Sequence, residues 1–156
     1  MPSRRDAVRM SADEVRAFLL AQRRVILVTN GPDGMPHPVP MNYGLDDEGR
    51  ILMTSFAKSR KVRNLEADPR ATLLVETGET YGELKAVIAW CDAEILRDPE
   101  TVAAHMGSIR AADALAQSID PARQAQVRAS LAKRVVLRFT PMRTASWDHA
   151  RLGGFY

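Results

Sequence analysis

The chain has 156 residues, of which 46% are hydrophobic and 26% charged, as expected for one globular domain spanning residues 1–156. A formal net charge of +3 suits small anionic ligands and falls short of the clustered basic excess of nucleic-acid binders. The single cysteine, Cys91, excludes an internal disulfide, and with three histidines outside metal-ligand spacing it argues against a metal site. No apolar stretch suits a signal peptide or a membrane span, so we expect a cytoplasmic protein without membrane or nucleic-acid partners.

The first predicted element is a helix over residues 11–22. Ser11 and Glu14 form a capping-box pattern, and apolar residues then recur at helical spacing. A β-branched run over residues 24–30 predicts the first strand, which opens a series of barrel strands over residues 24–95.

A second strand is predicted over residues 37–43, after a turn of glycine, proline and aspartate at residues 31–34. Proline has no N–H group to give to a hydrogen-bond ladder, and three prolines lie in or next to this strand: Pro36, Pro38 and Pro40. We therefore expect this strand at an edge or opening of the sheet.

The third strand, over residues 51–55, leads into a helix over residues 58–68 with apolar residues at helical spacing. A proline then ends that helix, because the residue before proline avoids the helical region. Two more strands follow, over residues 71–76 and 83–95. The order of elements predicts that a basic helix start lies at the end of a strand.

Residues 99–132 carry three helical stretches, 99–107, 111–117 and 121–132. A sixth strand has its clearest pattern over residues 134–140; we assign the segment 134–147 to it and leave residues 148–156 as a tail. Six strands with hairpin turns and flanking helices predict an α+β, mainly β, antiparallel Greek-key barrel.

The segment with the clearest chemistry follows the third strand. Hydroxyl groups of Thr54, Ser55 and Ser59 precede the cations Arg60 and Lys61 at a helix start. Unbonded N–H groups and the positive end of the helix dipole favour an anion there, while cations in the first turn oppose the dipole. The residues alone leave two interpretations open, a phosphate site or a solvated basic helix face.

The same segment resembles the FMN-phosphate motif of the pyridoxamine 5'-phosphate oxidase-like family. That motif has Thr at a strand end, then Ser-Arg-Lys, then Gln or Asn followed by Leu; here it reads Met53-Thr54, Ser59-Arg60-Lys61 and Asn64-Leu65. The order of the remaining elements is similar to the family over about residues 12–147. The resemblance favours the phosphate interpretation.

The resemblance implies a split-barrel homodimer that holds one flavin in each of two grooves between its subunits. The phosphate would be held by Arg60 and Lys61, with Thr54, Ser55 and Ser59 in support and Asn64 in the polar position that follows. The backbone of the second strand would pass beside the ring at Pro38, Val39 and Met41. Trp147 is open to two interpretations, a contact with the flavin or an anchor for the tail at the dimer interface.

Three departures separate this chain from pyridoxamine 5'-phosphate oxidase itself. The spacer before Ser59 is one residue longer, the second strand lacks the oxidase's basic residues, and the tail carries Trp147-Asp148-His149 instead of the oxidase's arrangement. That tail is similar to the tails of superfamily members that use FMN or the deazaflavin coenzyme F-420. The activity of the oxidase itself is therefore not implied.

The resulting hypothesis is an oxidoreductase in which bound FMN transfers a hydride or electrons to a small organic substrate. No catalytic residue is assigned. One alternative is a reductase that uses the deazaflavin, whose anionic tail would lie along Arg60, Lys61, Arg63 and Arg70. A second alternative is a module that binds flavin or haem without turnover, where a haem would need an axial histidine.

Overall fold

The computed structural model describes residues 3–106, 129 and 131–153. This part of the chain contains seven strands, β1 (Arg24–Asn30), β2 (Pro36–Asn42), β3 (Gly44–Leu45), β4 (Ile51–Phe56), β5 (Arg70–Thr77), β6 (Lys85–Leu96) and β7 (Arg134–Asp148). Its α-helices are α1 (Arg4–Val8), α2 (Ala12–Ala21), α3 (Arg60–Ala67) and α4 (Pro99–Met106), and short 3-10 turns lie at Tyr81–Glu83 and His149–Leu152.

The predicted antiparallel split barrel is confirmed, but the prediction of six strands is wrong. The additional strand is β3, whose two residues pair with Ile51 and Leu52 of β4. Two residues are too few to show the alternation of apolar and polar side chains by which a strand is recognised in a sequence. The predicted stretches over residues 111–117 and 121–132 lie outside the described residues, apart from residues 129, 131 and 132.

The last strand also runs beyond its clearest sequence pattern. The segment assigned to this strand was 134–147, and β7 runs from Arg134 past Pro141 to Asp148 along β6. Trp90 pairs with Arg143 whereas Cys91 pairs with Pro141, so the register shifts there and Met142 is the additional residue of a bulge. Because a bulge interrupts the ladder locally, it accommodates the missing N–H of the proline.

All seven strands belong to one sheet with the order β2-β1-β5-β6-β7-β4-β3, in which neighbouring strands are antiparallel. The proline-rich β2 is an edge strand, as its sequence predicted. The helix α3 connects β4 to β5, which lie three positions apart in the sheet order. Its start is thereby fixed at the end of β4.

The core fills the concave side of the curled sheet. Alternate side chains of the strands are buried there, and α2 and α3 close it with Phe18, Leu19, Val62 and Leu65. Tyr43 is fully inside, and its hydroxyl donates a hydrogen bond of 2.6 Å to the backbone oxygen of Leu19. A smaller apolar cluster on the other side of the sheet packs Val102 of α4 against Leu52 and Val136.

The barrel is open between β2 and β4. Only Tyr43 separates β2 from β3, so the two strands follow one path, but β3 pairs with β4 while β2 pairs with β1. Residues 53–56 of β4 therefore have no sheet partner on the side that faces β2, although the two strands remain neighbours. We call the opening between β2 and residues 53–56 the split.

Candidate functional site

The site begins where the split meets the first turn of α3. Ser59 is the N-cap residue of this helix, but its side chain makes no capping hydrogen bond. Its hydroxyl instead lies 2.9 Å from the hydroxyl of Ser55, a buried residue of β4. The first-turn N–H groups of α3 consequently keep no side-chain acceptor, which leaves them available to an anion.

Lys61 completes this small polar cluster. Its ammonium group lies 3.4 Å from the Ser55 hydroxyl, and partial burial lowers the pKa of Lys61 below its ordinary value. Within the described residues no carboxylate forms an ion pair with it. A partly desolvated cation without a counter-charge is costly, so the cluster is suited to an anionic ligand.

The other cations near the start of α3 are exposed and likewise have no acidic partner in the described part of the chain: Lys58, Arg60 and Arg63. The first turn of the helix also contains no acidic residue. Arg70 differs, because its guanidinium makes two hydrogen bonds to the carboxylate of Asp68. The start of α3 thus carries four cations that form no ion pair among the described residues: Lys58, Arg60, Lys61 and Arg63.

A buried hydrogen bond fixes α3 against the sheet. The Asn64 side-chain amide donates to the hydroxyl of Thr29 on β1 over 2.9 Å, and Thr29 is fully buried. Val62 and Leu65 on the same helix are also buried. Because both polar groups are removed from water, this bond resists any shift of α3 relative to β1.

Comparison with known proteins decides the family. A family model described as pyridoxamine 5'-phosphate oxidase matches residues 11–148. The chain belongs to the pyridoxamine 5'-phosphate oxidase family. Over 74 residues, 47% of this chain and 34% of the relative, it is 32% identical to the pyridoxine/pyridoxamine 5'-phosphate oxidase of Rubrobacter xylanophilus. The match to that curated relative spans about a third of the relative's length.

Solved structures share the fold of this chain. A conserved hypothetical protein from Mycobacterium tuberculosis is 35% identical and superposes with a TM-score of 0.83, over 99% of this chain and 95% of that one. A FAD-binding protein from Mesorhizobium loti superposes with a TM-score of 0.66 at 21% identity, over 88% of this chain and 94% of that one. A protein named F420 reductase superposes with a TM-score of 0.62 at 23% identity, over 83% of this chain and 94% of that one. The last two likenesses show the shared fold.

In this family member, the structure brings together Ser55, Ser59 and Lys61, and it places Arg60 beside them at the first position of α3. Asn64 lies one turn further on, but its amide already bonds to Thr29. Thr54 is different: side chains alternate along a strand, so it points to the face opposite Ser55. Only the backbone of Thr54 faces the same opening as the cluster.

The predicted residues of β2 divide between two faces of the sheet. Val39 and Met41 pack against the core, whereas Pro38 is exposed. Trp147 lies near the other end of β7, eleven residues beyond Val136, the partner of Thr54. That strand path is roughly 35 Å at about 3.3 Å per residue. Among the described residues, no hydrogen bond or ring contact joins Trp147 to Ser55, Ser59 or Lys61.

Phe56 and Arg134 lie beside the split on the face of the sheet opposite Ser55, and the sequence analysis did not single them out. They are register partners on β4 and β7, and the guanidinium carbon of Arg134 lies 4.3 Å from the centre of the Phe56 ring. Phe56 is 51% exposed, which is unusual for a large apolar side chain. In the sequence, Phe56 could have been noticed as an aromatic residue that directly follows Ser55 at the end of the third predicted strand.

Neither His37 nor His149 joins the cluster. His149 Nδ1 lies 3.0 Å from the backbone oxygen of Tyr81, and the two rings are 4.5 Å apart. The Nδ1 atom of His37 on β2 is buried and has no hydrogen-bond partner in the described part of the chain.

The described residues contain no group of three or more potential metal ligands, and none of their helices has the length and apolar character to span a membrane.

Proposed function

We propose that this protein is an oxidoreductase that binds FMN in the split, with the phosphate at the start of α3. The observation that carries the proposal is the partly buried ammonium of Lys61, which has two serine hydroxyls beside it and no carboxylate among the described residues. A phosphate there would accept hydrogen bonds from Lys61, from Ser59 and from the first-turn N–H groups of α3. Family membership supports the same assignment.

When bound, FMN would supply the redox chemistry by accepting and returning a hydride at its ring. The residues of this chain would anchor the phosphate, orient the ring along the split and limit the access of water. Arg60 is suited to a second, more exposed contact with the phosphate because its guanidinium is forked and unpaired. The hydride or electrons would pass to a small organic substrate.

A homodimer with a flavin at each of two subunit interfaces is part of the proposal. The convex face of the sheet carries a row of half-buried apolar side chains in register, Ile26, Leu74, Ile88 and Ala145. Pairing two such rows would remove this apolar surface from water. It would also allow Trp147 of one subunit to reach a ligand held by its partner.

The deazaflavin F-420 is a second candidate cofactor, because the cations beyond the cluster are unpaired and exposed. Lys58, Arg60 and Arg63 would extend the positive surface toward an anionic tail, while Arg70 is already bonded to Asp68. FMN lacks such a tail. A ligand with the tail would therefore bind more weakly to an Arg63→Ala variant, whereas FMN binding would not change.

The decisive test is a titration of the purified protein with FMN, followed by flavin absorbance and fluorescence, for the wild type and a Lys61→Ala variant. Loss of a charge-assisted hydrogen bond of about 1.5–3 kcal/mol predicts a dissociation constant roughly 10 to 100 times higher. Lys58→Ala removes an equal charge from an exposed site nearby and serves as the control, with an expected change below about threefold. No saturable binding to the wild type, or equal weakening in both variants, would refute the phosphate site.

A further inference from the structure

The sequence of β2 determines which backbone hydrogen-bonding groups the strand presents on the edge that faces away from β1. At the two ends of the β1–β2 pairing, the N–H of Gly31 donates to the oxygen of Met35 over 3.0 Å, and the N–H of Tyr43 donates to the oxygen of Arg23 over 3.3 Å. Backbone groups alternate in direction along a strand. The odd-numbered residues of β2 therefore face β1, and Pro36, Pro38 and Pro40 face the split.

Since proline has no N–H group, this edge presents carbonyl oxygens and almost no donors. Asn42 is the first residue on it with an N–H. A further strand could not form a regular ladder here, because it would find acceptors without donors. The edge is thus closed to strand addition and open to a ligand that carries N–H groups.

The opposite wall of the split has the reverse character. The N–H of Asp46 donates to the oxygen of Arg50, and the N–H of Ala57 donates to the oxygen of Lys133, both over 3.0 Å. By alternation the backbone of Thr54 and Phe56 faces β2. The oxygen of Phe56 is engaged by the N–H of Ser59, so this wall offers the N–H groups of Thr54 and Phe56 and one carbonyl oxygen, that of Thr54, next to the ammonium of Lys61.

We propose that the carbonyl oxygens of Pro38 and Pro40 bind N–H groups of the cofactor ring and thereby favour its reduced form. The proposal rests on the proposed FMN function. Two-electron reduction of the ring consumes two electrons and two protons and converts ring nitrogens from acceptors into N–H donors. An acceptor-only edge beside the nitrogens that gain hydrogen on reduction would accept hydrogen bonds from the reduced ring, whereas the same nitrogens are acceptors in the oxidised ring.

Continuing the register of β3 and β4 identifies Pro40 as the more important proline. Gly44 pairs with Leu52 and Leu45 with Ile51, so the same register extended along the chain sets Pro40 opposite Phe56. Pro36 lies at the far end of β2, beside the hairpin turn. The same substitution at Pro40 and at Pro36 therefore compares one edge at two distances from the start of α3.

The experiment measures the midpoint potential of FMN bound to the full chain, by reduction against a reference dye, in the wild type, Pro40→Ala and Pro36→Ala. Alanine at position 40 restores an N–H that faces the split and stabilises the oxidised ring. We expect the ratio of the oxidised to the reduced dissociation constant to fall about tenfold in Pro40→Ala, which for two electrons lowers the potential by about 30 mV. Pro36→Ala should leave the potential unchanged.

Equal potentials in Pro40→Ala and Pro36→Ala, with FMN bound to both, would overturn the edge proposal alone. A wild-type chain that binds no FMN would overturn the proposed function and this inference together. If Pro40→Ala does not fold, as judged by circular dichroism, the wild type still gives an answer. Its bound FMN should have a higher potential than FMN in solution, and an equal or lower potential contradicts the proposal.

Discussion

The helices α2 and α3 both begin with a serine at the N-cap, yet their first turns differ in almost every other respect. In α2 the hydroxyl of Ser11 accepts a hydrogen bond from the N–H of Glu14, and the Glu14 carboxylate accepts one from the N–H of Ser11. In α3 the hydroxyl of Ser59 turns to Ser55, and the charged residues of the first turn are all cations. A helix whose first-turn N–H groups are capped by its own side chains stabilises the fold. A helix without such a cap leaves those N–H groups available to a ligand.

The largest effect on stability should come from the way α3 is held in place. Asn64→Ala removes a buried hydrogen bond and leaves the fully buried hydroxyl of Thr29 without that partner. We expect a loss of about 2 kcal/mol in the free energy of unfolding, measured by urea denaturation without cofactor. Arg63→Ala on the exposed side of the helix should change it by less than about 0.5 kcal/mol. Similar losses in the two variants would contradict the anchoring role of Asn64.

A smaller difference should separate the two serines. Ser11→Ala removes a complete capping box and is expected to cost about 1 kcal/mol of stability. Ser59→Ala should cost less than about 0.5 kcal/mol in the absence of cofactor, because its hydroxyl does not cap the helix. Denaturation of both variants with and without FMN measures the contrast, and a larger loss in Ser59→Ala than in Ser11→Ala would reverse our interpretation of the two helix starts.

The sequence predicted the features that depend on neighbours along the chain. The capping box at Ser11 marked α2, and the prolines marked β2 as an edge. Alternation along β4 could also have separated Thr54 from Ser55, but the sequence analysis grouped them by their hydroxyls. The hydrogen bond between Asn64 and Thr29 could not be predicted, because it joins residues that only the packing of α3 on β1 brings together.

The same reasoning explains why β3 was missed and why β7 is so long. β3 is recognised by its pairing with β4, since two residues carry no pattern of their own. The course of β7 past Pro141 depends on the bulge opposite Trp90 and Cys91, and a bulge is a property of two strands together. Local signals therefore set most strands, while pairing decides their number and length.

The smallest predicted effect is a pH dependence confined to the start of α2. Hydrogen bonds from the Ser11 N–H, then from Arg151, lower the pKa of Glu14 from 4.5 to about 2. A carboxyl whose pKa is lower in the folded chain stabilises it above pH 4.5, and that contribution is lost as the pH falls from 4.5 toward 2. Glu14→Gln keeps an acceptor for the Ser11 N–H but has no charge to titrate.

The difference in stability between the wild type and Glu14→Gln should therefore shrink as the pH is lowered from 6 to 3, in urea denaturation at several pH values. Asp13→Asn removes the neighbouring charge in the first turn of α2 without touching the hydrogen bonds of Ser11, and serves as the comparison variant. A constant difference for Glu14→Gln would mean that its carboxylate does not stabilise α2 through its charge. The start of α2 would then be closer to that of α3, which has no acidic residue in its first turn.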